Sequence, residues 1–203
     1  MGEKLIMVTG GARSGKSRWA EKLAADLSQG RPVLYIATCI PRDEEMRQRV
    51  RWHQQRRPLD WITVEEEFNP AEKVRNPAPG IGVILIDCLT MWISNLLLRE
   101  YRECREDSYY YENIVPAVEE LAMAAGAVSC PVICVTNEVG CGIVPENRLS
   151  RIYRDLVGWS NQALARHASE VYLVCAGMAV DVKKLAAAYG WNPIQAGGGS
   201  RRL

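Results

Sequence analysis

In 203 residues the chain carries 25 lysines and arginines against 24 aspartates and glutamates, and 48% of it is hydrophobic. That length suits one medium α/β domain, alone or with an appendage, and leaves little room for two independent cores. A charge balance so close to zero excludes a global basic footprint for nucleic acid or anionic membrane, so any basic patch must be local.

The first element, expected from about Lys4 to Thr9, is an apolar strand that enters a glycine-rich turn. The turn reads Gly10-Gly11-Ala12-Arg13-Ser14-Gly15-Lys16-Ser17, the G-x-x-x-x-G-K-S spacing of a P-loop. Such a loop turns backbone N–H groups inward around phosphate oxygens, with Lys16 on the β/γ-phosphates and the Ser17 hydroxyl on Mg²⁺. A helix from Lys16 to about Ser28 follows, with Ala20, Leu23, Ala24 and Leu27 on its buried face. Its positive end aims at the same anion. The spacing alone also occurs in ordinary glycine turns; the strand before it and the helix after it favour a nucleotide-binding loop. Val33 to Ala37 is a second buried strand, and its end at Thr38 opens onto the P-loop edge, where parallel sheets bind ligands.

From Pro41 to Pro58 the composition changes. Asp43, Glu44 and Glu45 lead a helix that becomes rich in arginine, with Arg47, Arg49, Arg51, Arg56 and Arg57. That order suits the helix dipole and accounts for the charges as a solvated face. It does not account for His53. At helical spacing His53 shares a face with Arg49, Arg56 and Arg57, which makes it one neutral nucleophile among phosphate-binding guanidiniums. Their charge favours the neutral imidazole, the form that attacks phosphorus. An ordinary exposed histidine is the alternative.

Trp61 to Glu65 reads as a short strand, antiparallel or at an edge, and Asn69 to Asn76 as a short helix or loop. Ile81 to Asp87 is a strongly apolar strand ending in a carboxylate, the pattern of a Walker B element that holds Mg²⁺ or its water. A turn residue or helix cap is the alternative for Asp87. An apolar helix from Cys88 to about Glu100 leads through a polar, mobile connection from Tyr101 to Ser108. Beyond it a helix runs from about Tyr109 to Ala127, kinked or broken near its start by Pro116. Tyr109-Tyr110-Tyr111 lacks interleaved lysines, so it reads as a packing or subunit surface rather than a stacking platform for nucleic acid.

Pro131 to Thr136 is a further buried strand, and the Asn137–Asn147 loop after it lies on the same active edge. Asn147 caps a helix whose Arg148, Arg151 and Arg154 face either an anionic substrate or solvent. His167, near the end of that helix, suits the dipole and is not assigned to catalysis. Val171 to Cys175 is the last strand, followed by Gly177 and a short helix from Val182 to about Tyr189. Residues 1–184 form the domain; residues 185–203, ending in Gly-Gly-Gly-Ser-Arg-Arg-Leu, read as a flexible tail.

The chain's 7 cysteines include no Cys-x-x-Cys pair and fall mostly in apolar segments, which suits reduced thiols acting as small hydrophobes. No apolar run is long enough to span a membrane, and the N-terminus resembles no targeting peptide. A cytoplasmic protein is expected.

Taken together, Val8 to Ser17, Tyr35-Ile36-Ala37-Thr38, Asp43 to Met46 with Arg49 and His53, Asp87-Cys88-Leu89-Thr90 with Trp92 and Ser94 to Leu97, and Val135 to Asn147 form five ordered blocks. These blocks resemble the bifunctional adenosylcobinamide kinase / adenosylcobinamide-phosphate guanylyltransferase family of cobalamin biosynthesis, and the likeness covers the chain to about Lys184. Independently of the likeness, strands ending at the P-loop, Ala37, Asp87, Thr136 and Cys175 alternate with helices, which predicts a three-layer α/β P-loop domain with a mostly parallel sheet. The resemblance implies two reactions on a corrinoid substrate: phosphorylation of adenosylcobinamide with ATP or GTP, then transfer of GMP from GTP onto the phosphate through a guanylylated histidine. His53 stands at the position of that histidine. The resemblance further implies nucleotide binding by Gly10 to Ser17, Thr38, Gln54, Gln55, Arg56, Arg57, Glu65 and Asp87, with Mg²⁺ at Ser17 and Asp87, and a homotrimer. A P-loop kinase for another small molecule and a nucleotide-dependent switch protein are the competing readings.

Overall fold

The computed structural model describes residues 5–41, 44, 47–48, 57–58 and 60–190. Seven strands, β1 (Leu5–Thr9), β2 (Val33–Ala37), β3 (Ile62–Glu65), β4 (Val83–Asp87), β5 (Val132–Val135), β6 (Glu170–Cys175) and β7 (Met178–Asp181), form one sheet in the order β3-β2-β4-β5-β1-β6-β7. The helices between them are α1 (Lys16–Ser28), α2 (Pro70–Arg75), α3 (Leu89–Glu100), α4 (Asp107–Ala127), α5 (Arg148–His167) and α6 (Val182–Ala188). Among the described residues every pairing is parallel except β6 with β7.

Parallel strands need crossovers that lie on the sheet faces, and covered faces need apolar side chains on both. The strands meet that demand by alternation. Leu5, Met7, Ile84, Ile86, Val132 and Cys134 pack with α3, α4 and α5. Their neighbours Ile6, Val8, Val83, Leu85, Ile133 and Val135 pack with Ala20 and Ala24 of α1. The result is the expected three-layer α/β arrangement with a mostly parallel sheet.

Several elements differ from the sequence expectation. β3 does lie at the sheet edge, but it runs parallel to β2, with Ala37 opposite Glu65. The Tyr101–Ser108 connection is shorter than expected, because α4 begins at Asp107. It is also tied down: Arg102 N and O bond the Tyr110 hydroxyl at 2.9 Å each, and Arg105 Nη1 reaches Glu100 Oε2 at 3.0 Å. Pro116 lies inside α4 without ending it. Tyr110 is fully buried, with Tyr109 and Tyr111 packed against the core. A strand missed by the sequence pattern, β7, returns along β6 through the Ala176–Gly177 turn. Both turn residues have positive φ (51° and 81°) and join Cys175 to its partner Met178, the twist preferred by two-residue hairpins.

The cysteines are all free thiols, but only Cys88, Cys130 and Cys134 are buried, while Cys104, Cys141 and Cys175 are exposed. Helix α6 passes across residue 184. No described helix is long and apolar enough to cross a membrane.

Candidate active site

β1, β2, β4 and β5 run parallel, so the P-loop, Thr38, Asp87 and the 137–147 loop all leave from one sheet edge. Tight contacts set the P-loop's shape. Gly15, the N-cap of α1, has φ +95°, and a Cβ there would lie 3.2 Å from Gly177 Cα. At Gly10 a Cβ would come within 2.4 Å of the Val174 carbonyl oxygen. Neither position admits a side chain without displacing backbone.

Both neighbouring segments brace the loop. Gly177 N donates to Ser14 O at 2.8 Å, from the β6–β7 turn, and Glu138 N donates to Gly10 O at 3.2 Å, from the loop after β5. Two buried hydroxyls at the loop, Thr9 Oγ1 and Ser14 Oγ, have no hydrogen-bond partner. Buried polar atoms are normally satisfied, and a phosphate bound at the loop would bring acceptor oxygens to it. Lys16 Nζ donates to Gly11 O at 3.1 Å, so the ammonium lies across the loop. Burial lowers the Lys16 pKa, partly offset by Cys88 and by the Asp87 carboxylate.

Asp87 ends β4, opposite Ala37 on one side and Val135 on the other. β5 separates β4 from β1, which puts Asp87 about 10 Å across the sheet from the end of β1. Tyr35 Oη donates to Asp87 Oδ2 at 2.8 Å. Burial, and then the Asp87 charge, raise the Tyr35 pKa well above its ordinary value, so the hydroxyl stays a donor. The same two causes raise the neighbouring Cys88 thiol to about 11. Ser17 and Asp87 offer hard oxygen donors, which suit Mg²⁺, a cation that takes one or two protein oxygens and completes its shell with phosphates and water. Among the described residues no group of three or more His, Cys, Asp and Glu could hold a metal by itself.

Thr38 is fully buried. Its hydroxyl donates to Cys88 O at 2.8 Å and accepts from Cys88 N at 2.9 Å, while Asn95 Nδ2 donates to Thr38 O at 2.8 Å. It therefore fastens the ends of β2 and β4 together. A similar network roots the 137–147 loop: Thr136 Oγ1 donates to Asn161 Oδ1 (2.7 Å), Asn161 Nδ2 to Asn137 O (3.0 Å), and Asn137 Nδ2 to Thr90 Oγ1 (2.9 Å).

Glu65 lies opposite Ala37, and Ala37 opposite Asp87. The two carboxylates therefore share one sheet face at strand spacing, about 10 Å apart. Arg57 places its guanidinium carbon 3.4 Å from the Tyr35 ring centroid and donates from Nη1 to Thr63 Oγ1 at 3.1 Å. Arg49, His53, Gln54, Gln55 and Arg56 lie outside the described residues. Of the expected helix around them, Glu44, Arg47 and Gln48 are helical, with Arg47 Nε paired to Glu44 Oε2 at 3.0 Å.

The arginines of α5 serve the fold. Arg148 bonds Asp107 and the carbonyls of Glu103 and Arg105, joining α5 to the start of α4. Arg151 bonds the carbonyls of Pro145 and Glu146, and Arg154 pairs with Asp155. Asn147 caps α5 as expected, accepting from Ser150 N at 2.8 Å.

A family model described as cobinamide kinase / cobinamide phosphate guanyltransferase matches residues 6–182. The chain belongs to that family. It is 44% identical over 183 residues to the bifunctional adenosylcobalamin biosynthesis protein CobU of Escherichia coli (strain K12), covering 88% of this chain and 99% of that one. It is 42% identical to the CobU of Salmonella typhimurium over the same shares of both chains. The corresponding CobP of Pseudomonas aeruginosa is 40% identical over 177 residues, 87% of this chain and 96% of that one. Among solved structures, an ATPase domain shares the fold at 12% identity, with a TM-score of 0.50 over 84% of this chain and 69% of that one.

Sequence reading of this cobinamide kinase / cobinamide phosphate guanyltransferase missed two contributors to the site. One is the Ala176–Gly177 turn, whose backbone braces Ser14. The other is Tyr35. Its signal was a hydroxyl in an otherwise apolar buried strand, since a buried tyrosine hydroxyl needs a partner.

Proposed function

We propose that this family member carries out both reactions in its family's description, and that His53 is the residue that carries GMP between them. In the first, ATP or GTP phosphorylates the side-chain hydroxyl of adenosylcobinamide. In the second, the His53 imidazole attacks the α-phosphorus of GTP, the bond to pyrophosphate breaks, and a phosphate oxygen of adenosylcobinamide phosphate then displaces the imidazole. The products are adenosylcobinamide-GDP and pyrophosphate. The observation that carries this reading is the family match across residues 6–182.

The geometry supports parts of it. The P-loop N–H groups and Lys16 would bind and neutralise the triphosphate, so that catalysis rests on positioning and charge stabilisation. Ser17 and Asp87 would hold Mg²⁺, which when bound supplies charge neutralisation between phosphate oxygens. Thr38, Gln54, Gln55, Arg56, Arg57 and Glu65 belong to the proposed nucleotide site, with Thr38 acting through the strand ends it joins. The same reading includes a cytoplasmic homotrimer, which light scattering would register as three 22.7-kDa chains.

The test is incubation with GTP labelled on the α-phosphate. Acid-labile, base-stable label on the wild-type protein, lost in His53→Ala and discharged by adenosylcobinamide phosphate, is the expected result. An unlabelled wild type, or label that persists in His53→Ala, removes the histidine mechanism. Label that the corrinoid fails to discharge points to a different acceptor.

A further inference from the structure

The strongest unassigned feature is the stack that joins the end of β4 to the segment following His53. Tyr35 is 2% exposed on β2 and pairs with Leu85 of β4 and Thr63 of β3. Residues two apart in a strand share a face, so Asp87 is Tyr35's diagonal neighbour on the α1 side of the sheet. The small Ala37, two positions on from Tyr35, is the residue directly opposite Asp87. The Tyr35 hydroxyl reaches the Asp87 carboxylate at 2.8 Å, and the Arg57 guanidinium lies 3.4 Å from the Tyr35 ring centroid.

Arg57 is held a second time by Thr63 Oγ1 at 3.1 Å, and its Nε is buried without a hydrogen-bond partner. A cation on a tyrosine face, steered by a side-chain acceptor, has a defined position rather than a solvated one. Arg57 is four positions after His53, with three residues between them, so the chain tethers the two within about 14 Å.

The geometry points to Tyr35 as a positioning residue: its hydroxyl holds the Asp87 carboxylate at the P-loop edge while its ring holds Arg57, which follows His53 closely in the sequence. One side chain thereby ties Arg57 to the carboxylate at the end of β4. This inference rests on the reading of His53 as the residue that takes the guanylyl group.

The test compares labelling rate with nucleotide affinity in the full-length protein. Tyr35→Leu removes both ties and is expected to slow labelling from α-labelled GTP at least tenfold with GTP and Mg²⁺ saturating, while GTP affinity at saturating Mg²⁺ falls by much less than the labelling rate. Tyr35→Phe keeps the ring under Arg57 and should recover most of the labelling rate, but should need more Mg²⁺ for half-maximal nucleotide binding. Arg57→Met, at a position that is not fully buried, should reproduce the labelling defect of Tyr35→Leu; if Tyr35→Leu does not fold, the Mg²⁺ requirement of Tyr35→Phe decides the matter, and an unchanged requirement overturns the inference. Wild-type labelling rates in Tyr35→Leu or Arg57→Met would overturn the inference, as would Leu and Phe variants that lose rate and affinity in equal proportion. An unlabelled wild type instead removes the histidine reading itself, and the two failures are separated by that one control.

Discussion

Lys16 stands where two opposing effects meet. Burial lowers its pKa, and Cys88 and Asp87 restore part of what burial removes. For a lysine this sign means that folding is penalised while the group is protonated in both states. The penalty fades as pH rises through the folded and then the unfolded pKa. The ammonium is the form that binds triphosphate, so nucleotide affinity should begin to fall on the alkaline side below the ordinary lysine range of about 10.4. A pH titration of GTP affinity should show this limb moving upward in Lys16→Arg, and coincident limbs would mean that another group controls the loss. Lys16→Ala should weaken nucleotide binding about 10- to 100-fold, the scale of a lost charge-assisted bond, as read by calorimetry. Normal affinity in that variant would remove Lys16 from the site.

At the scale of elements, the P-loop was legible because its spacing is local, whereas the hairpin that braces it was not. Met178 and Val180 are exposed at 68% and 48%, so β7 has no buried apolar stripe to announce a strand. Gly177 reads equally well as the end of a strand or as half of a two-residue turn. The structure separates two glycines that sequence treats alike. Gly177 has φ +81° and nothing within 4 Å of where a Cβ would stand, whereas Gly15 has φ +95° and Gly177 Cα at 3.2 Å. Gly177→Ala should therefore cost about 1 kcal/mol from backbone conformation alone, lowering Tm by about 2–4 °C. Nucleotide affinity should be nearly retained, because the N–H to Ser14 survives. Gly15→Ala meets the same conformational cost and a backbone contact at the loop itself, so it should cost more and abolish nucleotide binding. Thermal melts with and without GTP separate the two, and equal ligand-induced shifts in both variants would refute the distinction.

For the whole molecule, alternating apolar runs and helical faces were enough to read a parallel three-layer sheet, because each run is local and each parallel strand demands a crossover. Strand order was not readable from those runs. Tyr35 meets Asp87 only because β2 pairs with β4, and Glu65 shares their face only because β3 continues the sheet in parallel beyond β2. Those are long-range facts that no window of sequence contains. The same scale bears on the C-terminal residues. The family match ends at residue 182, and the alignment with the Escherichia coli relative covers 88% of this chain and 99% of that one. The described fold continues past that point through α6, where Asp181 caps Lys184 N at 3.0 Å and Lys183 bonds the Ala168 carbonyl. The boundary that matters for activity is therefore expected after α6 rather than at residue 184. A chain ending at Gly190 should keep Tm within about 2 °C, below the shift that about 1 kcal/mol gives a domain of this size, and should keep both GTP binding and His53 labelling. A chain ending at Ala179 removes half of β7 and all of α6, strips the support from the turn that holds Ser14, and should lose nucleotide binding together with stability. Equal behaviour of the two truncations would show that the hairpin does not brace the P-loop.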